Sequence, residues 1–342
     1  MNIKENPEFQ SDIHSTPNTL KKEVPLDWKP QGIRLFSILV VVVGHTLFYT
    51  GYLINDAKYP LVWFGGVAIG CFMACSGYVH GLKDEFNKTG SLNISTYGKF
   101  FKKRLFRLYI GYYIALFVIL VAKIVAGFSF YFTTSEPIDF GPNNPIQITP
   151  ISLFLDLTCM WPLFTASTGG IWAESWFICA MMVLSLTYPL LRRLNSINKY
   201  YLYLVIIITL IFRFYIIFAI NANLAYYFPL AWTAEFSLGI IIGDRVCKKG
   251  GPIPPTAPYQ HRINAAAERV WPLYLFHMVP VVFMTPLIVV GDIVIPRAPF
   301  WEFLLVIPAI LITAEVFHRI LTLINNKLGD KNKKIYPIDT SY

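Results

Sequence analysis

Charge is what this sequence has least of. Asp, Glu, Lys and Arg supply only 14% of its 342 residues while 55% are hydrophobic. A soluble domain carries about 25% charged residues, so the shortfall excludes a water-exposed globule and leaves lipid as the main solvent. Cysteine is sparse as well. Cys71, Cys75, Cys159, Cys179 and Cys247 mostly fall inside apolar runs without zinc-type spacing, which argues against a metal site and for small packing residues. The polar first 30 residues, with Pro7, Pro17 and Pro25, contain no apolar run beside a small-residue cleavage site. They read as a cytosolic tail and not as a signal peptide. No internal repeat is visible, and between about Ser129 and Gly170 there is no basic residue.

What the chain does have is long apolar runs. A hydrocarbon core about 30 Å thick needs roughly 20 such residues per helix, and continuous rather than alternating runs select helices over a barrel. The runs predict an all-α polytopic bundle of about eight spans, up to ten: about 35–53, 60–82, 108–130, 171–191, 200–220, 225–243, 270–290 and 300–323. Eight spans put both termini on one side. Placing both in the cytoplasm assigns 25 of the 29 basic residues to inner segments, with only Lys58, Lys123, Arg213 and Arg297 elsewhere, as the positive-inside tendency requires. The net charge of +9 then orients the protein and needs no nucleic acid. The division is a tail over 1–30, a membrane domain over 31–325 and a tail over 326–342. Residues 129–170 are expected to form an external loop, in which 151–164 is too short to span and reads as a re-entrant or interfacial helix. Asn87 and Asn93 match the glycosylation pattern, but the topology places them in the cytoplasm.

Ionisable residues inside spans are costly and default to functional candidates. Arg34 and His45 are 11 positions apart, about 20° from eclipse and about 16 Å along a helix. One face then carries a guanidinium at the cytoplasmic surface and an imidazole near mid-membrane, able to exchange a proton near neutral pH. Arg104 and Arg107 share a face at the start of the third span and suit phosphate, although flanking basic residues usually only orient a helix. Ser76 and His80 form an i, i+4 pair in a run of small residues that otherwise reads as a packing face. Tyr274 and His277 are neighbours on a helix that Pro272, Pro280 and Pro286 should bend. Trp172 and Trp176 read as interfacial belt residues, with Glu174 at the external mouth. Arg213, mid-span, needs a partner, and Glu235 is a candidate.

In order along the chain, these motifs resemble the acyltransferase-3 family of multi-span membrane enzymes. The resemblance covers about Gly32 to Pro280: GIRLFSILVVVVGH with Arg34 and His45, CFMACSGYV (71–79), Arg104-Leu-Phe-Arg107, Phe236 and Gly239 in EFSLG, and Tyr274 and His277 in LYLFH. At the fourth helix Trp176-Phe177-Ile178 runs on without the glutamate pair that many members have. The resemblance implies transfer of an acyl group, commonly acetyl, from cytoplasmic acyl-CoA (a co-substrate, with no bound cofactor) to a hydroxyl of a glycan or lipid-linked sugar. It implies donor binding by Arg34, Arg104 and Arg107, catalysis by His45 with Ser76, Tyr274 or His277, and an acceptor side formed by Trp172, Glu174 and Trp176. Direct transfer and an acyl-enzyme step are both compatible with this set. The rival readings are a secondary transporter using Arg213, His45 and Glu235 for coupling, and a non-catalytic membrane scaffold.

Overall fold

The computed structural model describes residues 27–49, 58–82, 94–134, 150–164, 172–252, 254–284, 288–290, 293–295 and 300–331. These are overwhelmingly helical: α1 (Trp28–Tyr49), α2 (Lys58–Leu82), α3 (Ile94–Thr134), α4 (Pro150–Thr158), α5 (Trp161–Phe164), α6 (Trp176–Ile197), α7 (Lys199–Tyr215), α8 (Ala222–Tyr227), α9 (Thr233–Lys248), α10 (Pro258–Ala267), α11 (Val270–Phe276), α12 (Met278–Met284) and α13 (Phe300–Lys331). Between α12 and α13, strands β1 (Ile288–Val290) and β2 (Ile293–Ile295) pair antiparallel, Val289 opposite Val294. Residues 1–26 and 332–342 of the expected tails, the loop with Asn87 and Asn93, and 135–149 and 165–170 of the expected external loop lie outside the described residues.

Among the described residues six helices are long and apolar enough to cross a bilayer, over Trp28–Leu47, Gly65–Leu82, Tyr97–Ala122, Trp176–Ile197, Lys199–Ile220 and Leu304–Ile324. The other two expected spans are interrupted. The run 225–243 contains α8, a 3₁₀ turn over Pro229–Trp232 and only then α9. The run 270–290 breaks at His277 and leaves helix altogether at β1. The break falls three residues before Pro280, whose missing N–H and ring deprive the Phe276 carbonyl, four residues back, of its helical partner. The first helix begins seven residues earlier than its hydropathy suggests. Arg34 therefore stands six residues inside α1 and is buried, and His45 is two residues from the end of the apolar stretch Trp28–Leu47.

Glycine organises the centre. α2 and α9 share the most extensive contact in the bundle because Gly77 and Gly81 on one helix face Gly239 and Gly243 on the other. A Cβ on Gly77 would meet the Phe236 carbonyl oxygen at 2.0 Å, and one on Gly239 the Ala74 carbonyl oxygen at 2.0 Å. The two backbones touch directly, as small residues at i, i+4 allow.

Two arginines of the bundle, Arg213 and Arg192, are paired with carboxylates. Arg213 on α7 grips Glu235 on α9 through two bonds of 2.5 and 2.7 Å, and its guanidinium lies 4.5 Å from the Trp232 ring centroid. This is the pairing expected from sequence. Arg192, counted from sequence among inner-loop charges, is instead buried and donates to Asp244 at 2.8 Å. Burial pushes the Asp244 carboxyl up, but the hydrogen bonds from Lys248 and Arg192 and their positive charges outweigh it and hold the group below the usual carboxylate range.

The 151–164 stretch forms the short helices α4 and α5. A helix ending within a bundle leaves its last carbonyls without partners. Here Tyr109, Tyr112 and Tyr113 of α3, spaced i, i+3, i+4, donate their hydroxyls to the carbonyls of Thr158, Asp156 and Leu157. Trp161 caps the turn by donating to the Asp156 carboxylate at 2.8 Å.

Candidate active site

Two clusters lie along α1, about 16 Å apart by the helical rise between Arg34 and His45. The first is a cavity of about 30 Å³ lined by Arg34, Ser76, His80, Arg104 and Trp271 among others. It joins four residues that the sequence singled out, Arg34, Ser76, His80 and Arg104, from three different helices. Arg34 is held by a bond to the Gln31 side chain at 3.0 Å and lies over the Phe72 ring, 5.4 Å from its centroid. Arg104 donates from Nε to the Ser185 hydroxyl at 3.1 Å. Arg107 belongs to the same helix, but its side chain lies outside the described residues. The expected Ser76–His80 contact takes a different form: His80 Nδ1 lies 2.7 Å from the Ser76 backbone carbonyl, not from its hydroxyl. A helical carbonyl four residues back is the nearest acceptor for such a ring, so this histidine is tied to the backbone.

The second cluster centres on His45. Its Nδ1 lies 2.8 Å from Nε2 of His277, with the rings nearly parallel at 15° and their centroids 5.1 Å apart. His277 is fully buried at the α11–α12 break, and its Nδ1 lies 2.7 Å from the Tyr274 carbonyl. Tyr274 in turn donates its hydroxyl to the Glu174 backbone carbonyl. The proline-bent helix expected from sequence therefore aims His277 across the bundle at α1, a contact between residues 232 positions apart.

Trp172, Glu174 and Trp176 are not at a surface. The 3₁₀ turn Ala173–Ser175 folds this segment into the bundle, leaving Trp172 at 1% and Glu174 at 6% exposure. Trp172 stacks on Tyr112 at 5.7 Å, and Trp176 packs among Tyr226, Tyr227 and Trp232. Their burial was not legible in the sequence, because a tryptophan near a helix start looks the same whether it faces outward or into a core. The Glu174 carboxylate is an electrostatic neighbour of both His45 and Tyr274. The body of α6 has no such acid, and Glu174 stands two residues before its start. The indole N–H of Trp172 is buried with no hydrogen-bond partner among the described residues.

An aromatic series links the two clusters: Phe72 beneath Arg34, Phe177 at 5.2 Å from it, and Tyr274 at 4.8 Å from Phe177. Trp271 lines the arginine cavity and stacks on Tyr274 at 5.8 Å. Among the described residues no group of His, Cys, Asp and Glu side chains is arranged to hold a metal ion. The chemistry available is that of guanidinium groups at one end and a histidine pair with a carboxylate nearby at the other.

Compared with known proteins, residues 28–246 match the family model described as an acyltransferase domain, acyltransferase-3, over more than half of the 342 residues. No curated protein and no solved structure matches. The matched stretch contains Arg34, His45, Ser76, Arg104, Arg107 and Glu174; Tyr274 and His277 lie beyond it.

Proposed function

The chain belongs to the acyltransferase-3 family and is a multi-pass membrane acyltransferase, and from that premise we propose that it moves an acyl group, acetyl in the simplest case, from cytoplasmic acyl-CoA to a hydroxyl of a glycan or lipid-linked sugar. The observation that carries this reading is the arrangement along α1. Two guanidinium groups, from Arg34 and Arg104, line one cavity, and the His45–His277 pair stands about 16 Å further on. That separation suits an extended arm joining a diphosphate to a thioester.

Arg34, Arg104 and Arg107 hold the donor's phosphates, for which forked guanidinium donors are suited. The cavity has room for little more than one water molecule, so donor entry requires Trp271 and Arg104 to move. At the other end His45 takes the proton of the acceptor hydroxyl as its oxygen attacks the thioester carbonyl. The carbon–sulfur bond breaks and the departing thiolate takes the proton back. Glu174 compensates the positive charge that develops on His45. The partnerless indole N–H of Trp172 supports a polar group of the acceptor at this end, and Ser76 lies on the donor's path. In this reading both termini face the cytoplasm, which the distribution of Lys and Arg supports.

The transporter reading loses its support in the Arg213–Glu235 pair, whose members neutralise each other. Purified protein in lipid, given radiolabelled acetyl-CoA and a panel of glycans and lipid-linked sugars, tests the proposal. Label is expected in an acceptor hydroxyl. Transfer from a different acyl donor with none from acyl-CoA would overturn the donor assignment.

A further inference from the structure

The contact between the two imidazoles fixes where their hydrogens are. A carbonyl oxygen only accepts, so the approach of His277 Nδ1 to the Tyr274 carbonyl at 2.7 Å places a hydrogen on that nitrogen. A neutral imidazole carries one N–H, so His277 Nε2 holds a lone pair. That lone pair faces His45 Nδ1 at 2.8 Å, a distance at which two lone pairs repel. The hydrogen between the rings therefore belongs to His45 Nδ1, and the lone pair of His45 is on Nε2.

We propose that His277 is the positioning residue for His45. It anchors on the Tyr274 carbonyl, accepts from His45 Nδ1, and makes Nε2 the nitrogen that takes the acceptor's proton. This rests on the reading of His45 as the base and deepens it by naming the reactive nitrogen and what holds it. Its geometry is over-determined. His277 has no exposed surface, the residue that anchors it is tied through its hydroxyl to Glu174, and the turn that presents the ring follows from the proline-induced break. Both nitrogens of His277 are engaged, one donating to backbone and one accepting from His45, so His277 is not itself the base. During transfer His45 Nε2 gains the hydroxyl proton as the carbon–oxygen bond forms and the carbon–sulfur bond breaks. It returns that proton to the thiolate, and His277 keeps its hydrogen throughout.

Loss of the partner that sets a catalytic histidine's tautomer can cost about 10⁴-fold when the partner is a carboxylate. A neutral partner orients without adding charge, so His277→Ala is expected to lower kcat about 10²-fold, with the apparent constant for acetyl-CoA within about threefold. His277→Gln, whose amide oxygen can accept from His45 Nδ1, should recover at least about tenfold of that loss. The readout independent of activity is solid-state ¹⁵N spectroscopy of the full-length protein, histidine-labelled and in lipid, with His45 assigned by its absence in His45→Gln. The wild type should show the Nδ1–H tautomer at His45, His277→Gln should keep it, and His277→Ala should show a mixture. An Nε2–H tautomer at His45 in the wild type, or full turnover in a folded His277→Ala, would overturn the proposal. If even the wild type transferred no acyl group, the functional reading would fail while the spectrum still decided the positioning role.

Discussion

Replacing Gly239 by alanine adds one methyl group at the tightest point of the bundle, and its effect can be worked from the backbone alone. The new Cβ would lie 2.0 Å from the Ala74 carbonyl oxygen and 2.7 Å from the Tyr78 backbone nitrogen, where ordinary contact begins at 3.4 Å. Neither neighbour is a flexible side chain that can swing aside, so α2 and α9 must part by more than an ångström. Overpacking of this kind costs about 1–3 kcal/mol, and a rigid backbone on both sides puts Gly239 at the upper end. Alanine's better helix propensity returns up to about 1 kcal/mol. The net expectation is a loss of about 2 kcal/mol, a fall in Tm of roughly 3 °C for a chain of this length. Gly98 of α3 is the control, because a Cβ there meets nothing within 4 Å; Gly98→Ala should gain up to about 1 kcal/mol. The assay is thermal unfolding of both variants in the same detergent. An unchanged or raised Tm for Gly239→Ala would refute the seam as the origin of α2–α9 packing.

His45→Ala and His45→Gln should each lower acyl transfer at least about a hundredfold while remaining monodisperse; near wild-type turnover in the Gln variant would make His45 structural. Arg104→Ala and Arg107→Ala should raise the apparent constant for acyl-CoA more than they lower turnover, because phosphate contacts remote from the reacting carbonyl are largely uniform binding; unchanged donor affinity in both contradicts that role. Arg213→Ala strands Glu235 and should cost on the order of 3 kcal/mol, whereas Arg213→Met with Glu235→Leu should recover most of it; equal stability of the single and double variants, measured by chemical unfolding, would show that the pair carries little. Cysteines introduced into 83–103 should be shielded from an impermeant external thiol reagent and those in 135–147 labelled, as the charge distribution requires; reversed labelling would invert the donor side.

Much of this was legible one helix at a time. Arg213 in a run of Ile, Leu and Phe demanded a partner, and Glu235 was the nearest acid on a neighbouring span. The small residues of α2 announced close packing, though not that Gly239 and Gly243 would answer Gly77 and Gly81. Spans 225–243 and 270–290 misled because hydropathy averages across breaks, and Pro229 and Pro280 weigh little in such an average. The histidine pair was invisible as a pair. Each ring could be flagged on its own helix, but no local pattern encodes a contact across the bundle, and Pro280's effect on the aim of His277 appears only once α11 is packed. The burial of Glu174 was hidden for a related reason, since a three-residue 3₁₀ turn decides whether its side chain faces outward or into the bundle. Arg192 shows the limit of counting charges: the positive-inside tally places it by loop, while Asp244 draws it into the core.

The three tyrosine hydroxyls that meet the end of α4 bear on how the chain comes to be built. α4 is too short to be threaded across a bilayer by its own hydrophobicity, and its terminal carbonyls are unwelcome in hydrocarbon until something donates to them. The donors belong to α3, which a ribosome delivers first. Synthesis from the N-terminus thus offers α4 a prepared berth at the moment it emerges. A circular permutant that made α4 before α3 would present the same segment with nowhere to settle, and it should be retained at the membrane surface or degraded although every contact of the finished bundle remained encoded.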